Sequence, residues 1–108
     1  MARRLLQLAV KQGNAIAQFN LAHMHWNAEG GPCNYAEARR LLSLSAAQGH
    51  ANAQYQLASM HYYGHGGPVN YAETRRLSSL AAAQGHVDAQ VSFGAMLQRG
   101  EGGPKDFA

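Results

Sequence analysis

The chain repeats itself every 36 residues, and that period constrains its fold more than any other feature. Residues 13–48 and 49–84 align without a gap and are identical at 23 of 36 positions. Residues 85–108 begin a third copy: Ala89-Gln90 repeats Ala53-Gln54, Met96 repeats Met60, and Gly102-Gly103-Pro104 repeats Gly66-Gly67-Pro68. Residues 1–12 read as the tail of an earlier copy, with Arg3-Arg4-Leu5 matching Arg39-Arg40-Leu41. The sequence opens inside one unit and closes inside another, so it reads as a piece of a longer array. A unit of this size cannot hide its apolar face alone, and neighbours must stack. A residue that recurs in every copy is explained first by stacking. Function is sought where the copies differ.

Within a unit the pattern is helical. Leu5, Leu6, Leu8 and Ala9 form a stripe that Gly13 ends, which predicts a helix over residues 1–12. Gly49 and Gly85 stop the equivalent helices. The first helix of each unit starts near Asn14, His50 or His86. Asn14 is a good N-cap; His50 and His86 are poorer ones, and frayed starts are expected there. Ala53, Leu57, Met60 and His61 share one face, with Ala58 beside them. Ala22 and Gly94 take the place of Ala58 in the other copies, and such small residues let helix backbones approach closely. Tyr62 and Tyr63 close the helix and Gly64 ends it. Glycines and proline then exclude helix over residues 64–69, and over the copies at 28–33 and 100–105. A second helix starts at Asn70, an N-cap with Glu73 completing a capping-box pair, as do Asn34 and Glu37. Asp106 is a third cap with only two residues after it. The expected fold is all-α: one superhelical solenoid of antiparallel helix pairs over 1–108.

Composition narrows the function. The net charge is +3, carried by three Arg-Arg pairs with Lys11, Arg99 and Lys105, far from the dense basic clusters of nucleic-acid binders. No apolar run approaches the roughly 20 residues that span a bilayer, so no membrane insertion is expected. No apolar segment of signal-peptide type follows Arg3-Arg4. The lone Cys33 excludes an internal disulfide and leaves the compartment open.

The pattern Ala-Gln-x-x-Leu-Ala/Gly-x-Met, then Gly-x-Gly-Gly-Pro-x-Asn/Asp-Tyr/Phe-Ala, then Ala-Ala-Gln-Gly resembles the Sel-one-like repeat (SLR) family, a relative of the tetratricopeptide repeats. The resemblance covers the whole chain. It implies antiparallel helix pairs in a right-handed superhelix, and a role as an adaptor for other proteins in signalling, membrane-associated quality control or bacteria–host contact. The chain departs from that family in places. Leu41-Leu42 and Leu77-Ser78 stand where the family often has an aromatic pair, and His25, His61 and Leu97 stand where it favours Tyr.

Candidate chemistry is sparse. His61 and His65 have the four-residue spacing of metal ligands, but His65 falls beyond Gly64. His23 and His25 point about 200° apart around a helix of 3.6 residues per turn. His25 and His61 are read as replacing a core aromatic and bonding locally, and no metal or cofactor is expected. Arg39-Arg40 and Arg75-Arg76, with Arg3-Arg4, are read as a solvated helix face with Glu37 and Glu73 as partners; the other reading is a basic ridge for an acidic partner. Cys33 has no base beside it in sequence. Gly66-Gly67-Pro68 lacks the Gly-Lys-Ser/Thr of a phosphate loop. The chain is read as non-catalytic.

In stacked helix pairs one helix of each pair lines the concave side, where extended binding surfaces form. The first helix turns Phe19, His23, Trp26 and Asn27 away from its core stripe. The next copy turns out Tyr55, Ser59, Tyr62 and Tyr63, and the third turns out Val91, Ala95, Gln98 and Arg99. These positions vary while the stripe does not, and exposed Trp and Tyr suit protein recognition. The expected function is an interaction scaffold that binds a peptide or partner domain on this face. The alternative is self-assembly, with repeats stacking end to end or as a dimer.

Overall fold

The computed structural model describes residues 13–26 and 34–105. The expected helix over 1–12, the loop at 28–33 with Cys33, the Arg3-Arg4 pair and the Asp106 cap lie outside the described residues. Five helices follow one another: α1 (Ala15–Trp26), α2 (Tyr35–Ala47), α3 (Ala51–Tyr63), α4 (Tyr71–Ala83) and α5 (Val87–Arg99). The described residues contain no strand. Equivalent helices start 36 residues apart, at 15, 51 and 87 and at 35 and 71. Each helix packs chiefly on the helices next to it in sequence. The result is a slab of 48 × 25 × 17 Å, an all-α helical solenoid.

Helix boundaries follow from side-chain chemistry. Asn34 and Asn70 adopt extended backbone, and their side-chain oxygens accept from the N–H of Glu37 and Glu73. The reciprocal half of the expected capping box is absent at both starts. Glu37 and Glu73 instead accept from Arg40 and Arg76, which stand one turn further along the same helices. His50 and His86 also cap, contrary to the expectation of frayed starts: the Nδ1 atoms accept from Ala53 N at 3.2 Å and Ala89 N at 3.1 Å. A neutral imidazole with its proton on Nε2 has a free lone pair at Nδ1 and caps as an asparagine oxygen does. Gly64 and Gly100 end α3 and α5 in left-handed conformation.

The core is a ribbon of small and aliphatic residues. Leu21, Ala22, Leu41, Leu42, Ala53, Leu57, Ala58, Met60 and Leu77 form one buried cluster across α1 to α4. Burying each Leu or Met contributes about 1.5–3 kcal/mol. Close packing on small residues is seen at Ala22 and Ala58, both buried, but not at Gly94, where an added Cβ meets nothing within 4 Å.

Side-chain amides link neighbouring helices, and two of them, Gln18 and Gln54, are buried. Gln54 Oε1 accepts from Gln84 Nε2 at 2.9 Å, and Gln54 Nε2 donates to Ala46 O at 3.3 Å. One side chain thus joins α3 to both α2 and α4. Gln48–Gln18 and Gln90–Ala82 repeat the two halves of this link.

The arginine pairs divide their labour, which corrects the view of both members as a solvated face or ridge. Arg40 and Arg76 do stay outside on Glu37 and Glu73. Arg39 turns to the next unit, where Nη2 donates to His61 Nδ1 and, at 3.1 Å, to Pro68 O. So His61 bonds across units rather than locally. In the next unit Leu97 stands in place of His61, and Arg75 Nη1 is buried without a partner.

The loop after α3 closes on the start of α2. Gly66 has φ 72°, and a Cβ added there would stand 2.5 Å from Tyr35 O. Gly102 meets Tyr71 in the same way. We expect Gly66→Ala to lower unfolding free energy by about 2 kcal/mol or more, since strain and a backbone collision coincide; urea unfolding measures this. His61 gives a second expectation. Burial, then the Arg39 charge, lowers its pKa below 6.5, and burial lowers that of His50. A lowered folded pKa means that the unfolded chain takes up protons first. Stability is therefore full above pH about 6.5 and falls as pH drops through the folded values. Melting temperatures at pH 7 and pH 5 should show this fall, and His61→Gln should reduce it.

Candidate functional site

A groove of about 290 Å³ lies between α3 and α5, with α4 beneath it. Tyr55, Ser59, Tyr62 and Tyr63 come from α3, and Val91, Ser92, Ala95, Met96 and Arg99 from α5. Ala58, Thr74, Ser78 and Glu101 complete the lining. Seven of the residues expected at a binding face thus meet here: Tyr55, Ser59, Tyr62, Tyr63, Val91, Ala95 and Arg99. Gln98 is exposed on α5 but does not line the groove. Phe19 and His23 lie on α1, away from it. Phe19 packs on the core and its ring centroid lies 5.0 Å from that of His50. His23 is exposed, with its ring 5.9 Å from that of Phe19. Trp26 ends α1; its side chain and Asn27 lie outside the described residues.

The walls are fixed by contacts of their own. The Tyr55 ring stacks on His86 at 4.8 Å and 26°. Because His86 Nδ1 accepts from Ala89 N, its Nε2 carries the proton and donates to Asn52 Oδ1 at 2.9 Å. Tyr62 donates its hydroxyl to Glu101 Oε2 at 2.9 Å and packs on Tyr71 and Tyr63, at 4.9 Å and 5.0 Å between ring centres. The bond to the Glu101 carboxylate, then burial, raises the Tyr62 pKa above 10.0. Arg99 stands at the rim, 64% exposed, with Nη1 3.7 Å from Glu101 Oε1. Tyr63 and Val91 are 68% and 69% exposed, so the mouth of the groove carries apolar surface.

The floor differs from its counterpart in the preceding unit. Thr74 and Ser78 stand where that unit has Ala38 and Leu42. Thr74 Oγ1 donates to Ala58 O at 2.9 Å, with Asn70 O a second acceptor at 3.1 Å. Ser78 Oγ is buried with no hydrogen-bond partner. Such a group costs about 1–3 kcal/mol. Reading the first helix alone missed Ser78 and Thr74, although both break the repeat. Glu101 was missed because it sits in the connector, where glycine and proline dominate the pattern.

The site offers aromatic and aliphatic surface, one exposed guanidinium and hydroxyls. The described residues contain no group of three or more His, Cys, Asp and Glu placed to hold a metal ion. None of the described helices is long and apolar enough to cross a membrane.

The Sel1 repeat model matches residues 1–14, 15–50, 51–86 and 87–108. The chain is similar to a protective antigen of uropathogenic Escherichia coli with an SLR fold, at 33% identity and a TM-score of 0.91 over 94% of this chain. It is also similar to a Sel1 repeat protein from Oxalobacter formigenes, at 31% identity and a TM-score of 0.92 over 96% of this chain. It spans 22% and 43% of the lengths of those two chains. Comparison with curated protein sequences finds no match.

We expect Glu101→Gln to lower the Tyr62 titration midpoint toward 10.0, because the carboxylate that disfavours the phenolate is gone. Carbon NMR of the tyrosine ring, with Tyr62→Phe for assignment, reads the shift. An unmoved midpoint would sink the account of this wall.

Proposed function

The chain belongs to the Sel1 repeat family, and we propose that it is a non-catalytic adaptor that binds a peptide or partner domain along the groove face of α3 and α5. Sel1 repeats generally serve as protein–protein interaction scaffolds and are generally non-catalytic. One observation supports this placement: the groove joins immobilised tyrosines to exposed apolar surface at Tyr63 and Val91. Surface of this kind on an ordered scaffold marks an interaction site. Tyr55 and Tyr62 are held before any ligand arrives, so little ordering entropy opposes binding. Large aromatic side chains in such positions supply most of the energy of a protein contact.

A random peptide library panned on the wild-type chain tests the reading. Selected peptides should lose about tenfold or more in affinity for a Tyr55→Ala/Tyr62→Ala variant, the loss expected on truncating hot-spot residues. Circular dichroism checks that the variant remains folded. Peptides that bind both proteins alike would place the interaction elsewhere.

A further inference from the structure

We infer that the groove between α3 and α5 is a subsite for a tyrosine side chain of a partner polypeptide, with the Ser78 hydroxyl recognising the phenol. The inference deepens the adaptor reading and rests on it. Two units of nearly the same sequence differ at this point. In the first, Leu42 is buried in the core cluster on α2. In the second, Ser78 occupies the same register position on α4, beneath the groove. The exchange removes aliphatic volume from the floor and leaves a polar atom there. That hydroxyl is on a residue only 1% exposed and has no hydrogen-bond partner among the described residues. The neighbouring Thr74 hydroxyl is already engaged by Ala58 O. A groove floor with one unsatisfied hydroxyl calls for a ligand that brings a hydrogen-bonding group to its deep end.

The walls define the rest of that ligand. Tyr55, Tyr62, Val91, Ala95 and Met96 present rings and aliphatic carbon. A leucine or phenylalanine would satisfy the walls and leave Ser78 unpaired. A charged end would lose its hydration at a floor with no counter-ion. Tyrosine has an apolar ring for the walls and a neutral hydroxyl for the floor. The rim adds a preference for its neighbour. Arg99 is 64% exposed and only loosely paired, its Nη1 lying 3.7 Å from Glu101 Oε1 while Tyr62 holds Oε2, so the guanidinium keeps N–H donors open at the mouth. An acidic residue beside the tyrosine complements it.

The test follows backbone amide NMR shifts of Val91, Ser92 and Ala95 on the intact chain. p-Cresol should bind about fivefold more tightly than toluene, the ratio expected for one hydrogen bond. Ser78→Ala should erase that preference. Ser78→Leu, which installs the residue that the preceding unit already carries, should abolish binding of both while the melting temperature holds or rises. N-acetyl-Asp-Tyr-amide should bind more tightly than N-acetyl-Lys-Tyr-amide, and Arg99→Gln should remove the difference. Absent shifts, equal binding of toluene, or binding that survives Ser78→Leu would overturn the inference. Binding of p-cresol without either dipeptide would assign the groove to free phenols and overturn it too. Library peptides that depend on Tyr55 and Tyr62 but not on Ser78 would sink this subsite and leave the adaptor role standing.

Discussion

A buried amide holds this slab in register. Gln54 is 4% exposed, accepts from Gln84 on one side and donates to the Ala46 carbonyl on the other. Aliphatic contacts are tolerant of sliding; a buried amide is not, because each lost bond strands a polar group away from water. Gln54 therefore fixes where α3 sits relative to both α2 and α4, and with it the positions of Tyr55 one residue on and Leu57 beneath. The groove inherits its shape from that registration. Its α3 wall stands on a helix whose position is set by a side chain that hardly reaches the surface.

Equal spacing does not make equal chemistry. Arg39 and Arg75 occupy the same station, yet one finds His61 and Pro68 O while the other, in a seam with Leu97 in place of that histidine, keeps a buried Nη1 without a hydrogen bond. Leu42 and Ser78 share a station too, one filling core and the other flooring a groove. In each case the backbone is conserved between units and a single side chain decides whether the place is sealed or open. Both exchanges leave a buried polar atom without a hydrogen bond on α4, and Ser78 lines the groove.

Most of the fold was legible in the sequence. The period, the glycine stops and the Asn34 and Asn70 caps have local causes, and they place the five described helices. The histidine caps were not legible, because a capping imidazole depends on its tautomer, which neighbours such as Asn52 settle. The fate of Arg39 was equally hidden: its partners lie 22 and 29 residues away and belong to the next unit. For the site, Tyr55, Ser59, Tyr62, Tyr63 and Arg99 could be read from helical geometry, since they share the outward face of α3 and α5. The floor could not, because it comes from α4 and needs the three-dimensional stacking to bring Ser78 under α3. The signal was nevertheless present as a broken repeat at Leu77-Ser78.

The bond from Arg39 to His61 has a consequence for how such arrays change. Its two halves are encoded in different units, so no single unit carries a complete joint. When recombination between near-identical coding segments duplicates or deletes one unit, each new seam draws its donor from one copy and its acceptor from another. A duplicated middle unit would set a His61-type imidazole against an Arg75-type guanidinium and add a matched joint, while the last Arg75 would still stand opposite the Leu97 unit. Loss of that unit would remove both His61 and Arg75, bring Arg39 against leucine and leave no matched joint between the described units. Array length and joint quality are thereby inherited together, and a lineage that lengthens its scaffold also alters how firmly the pieces hold.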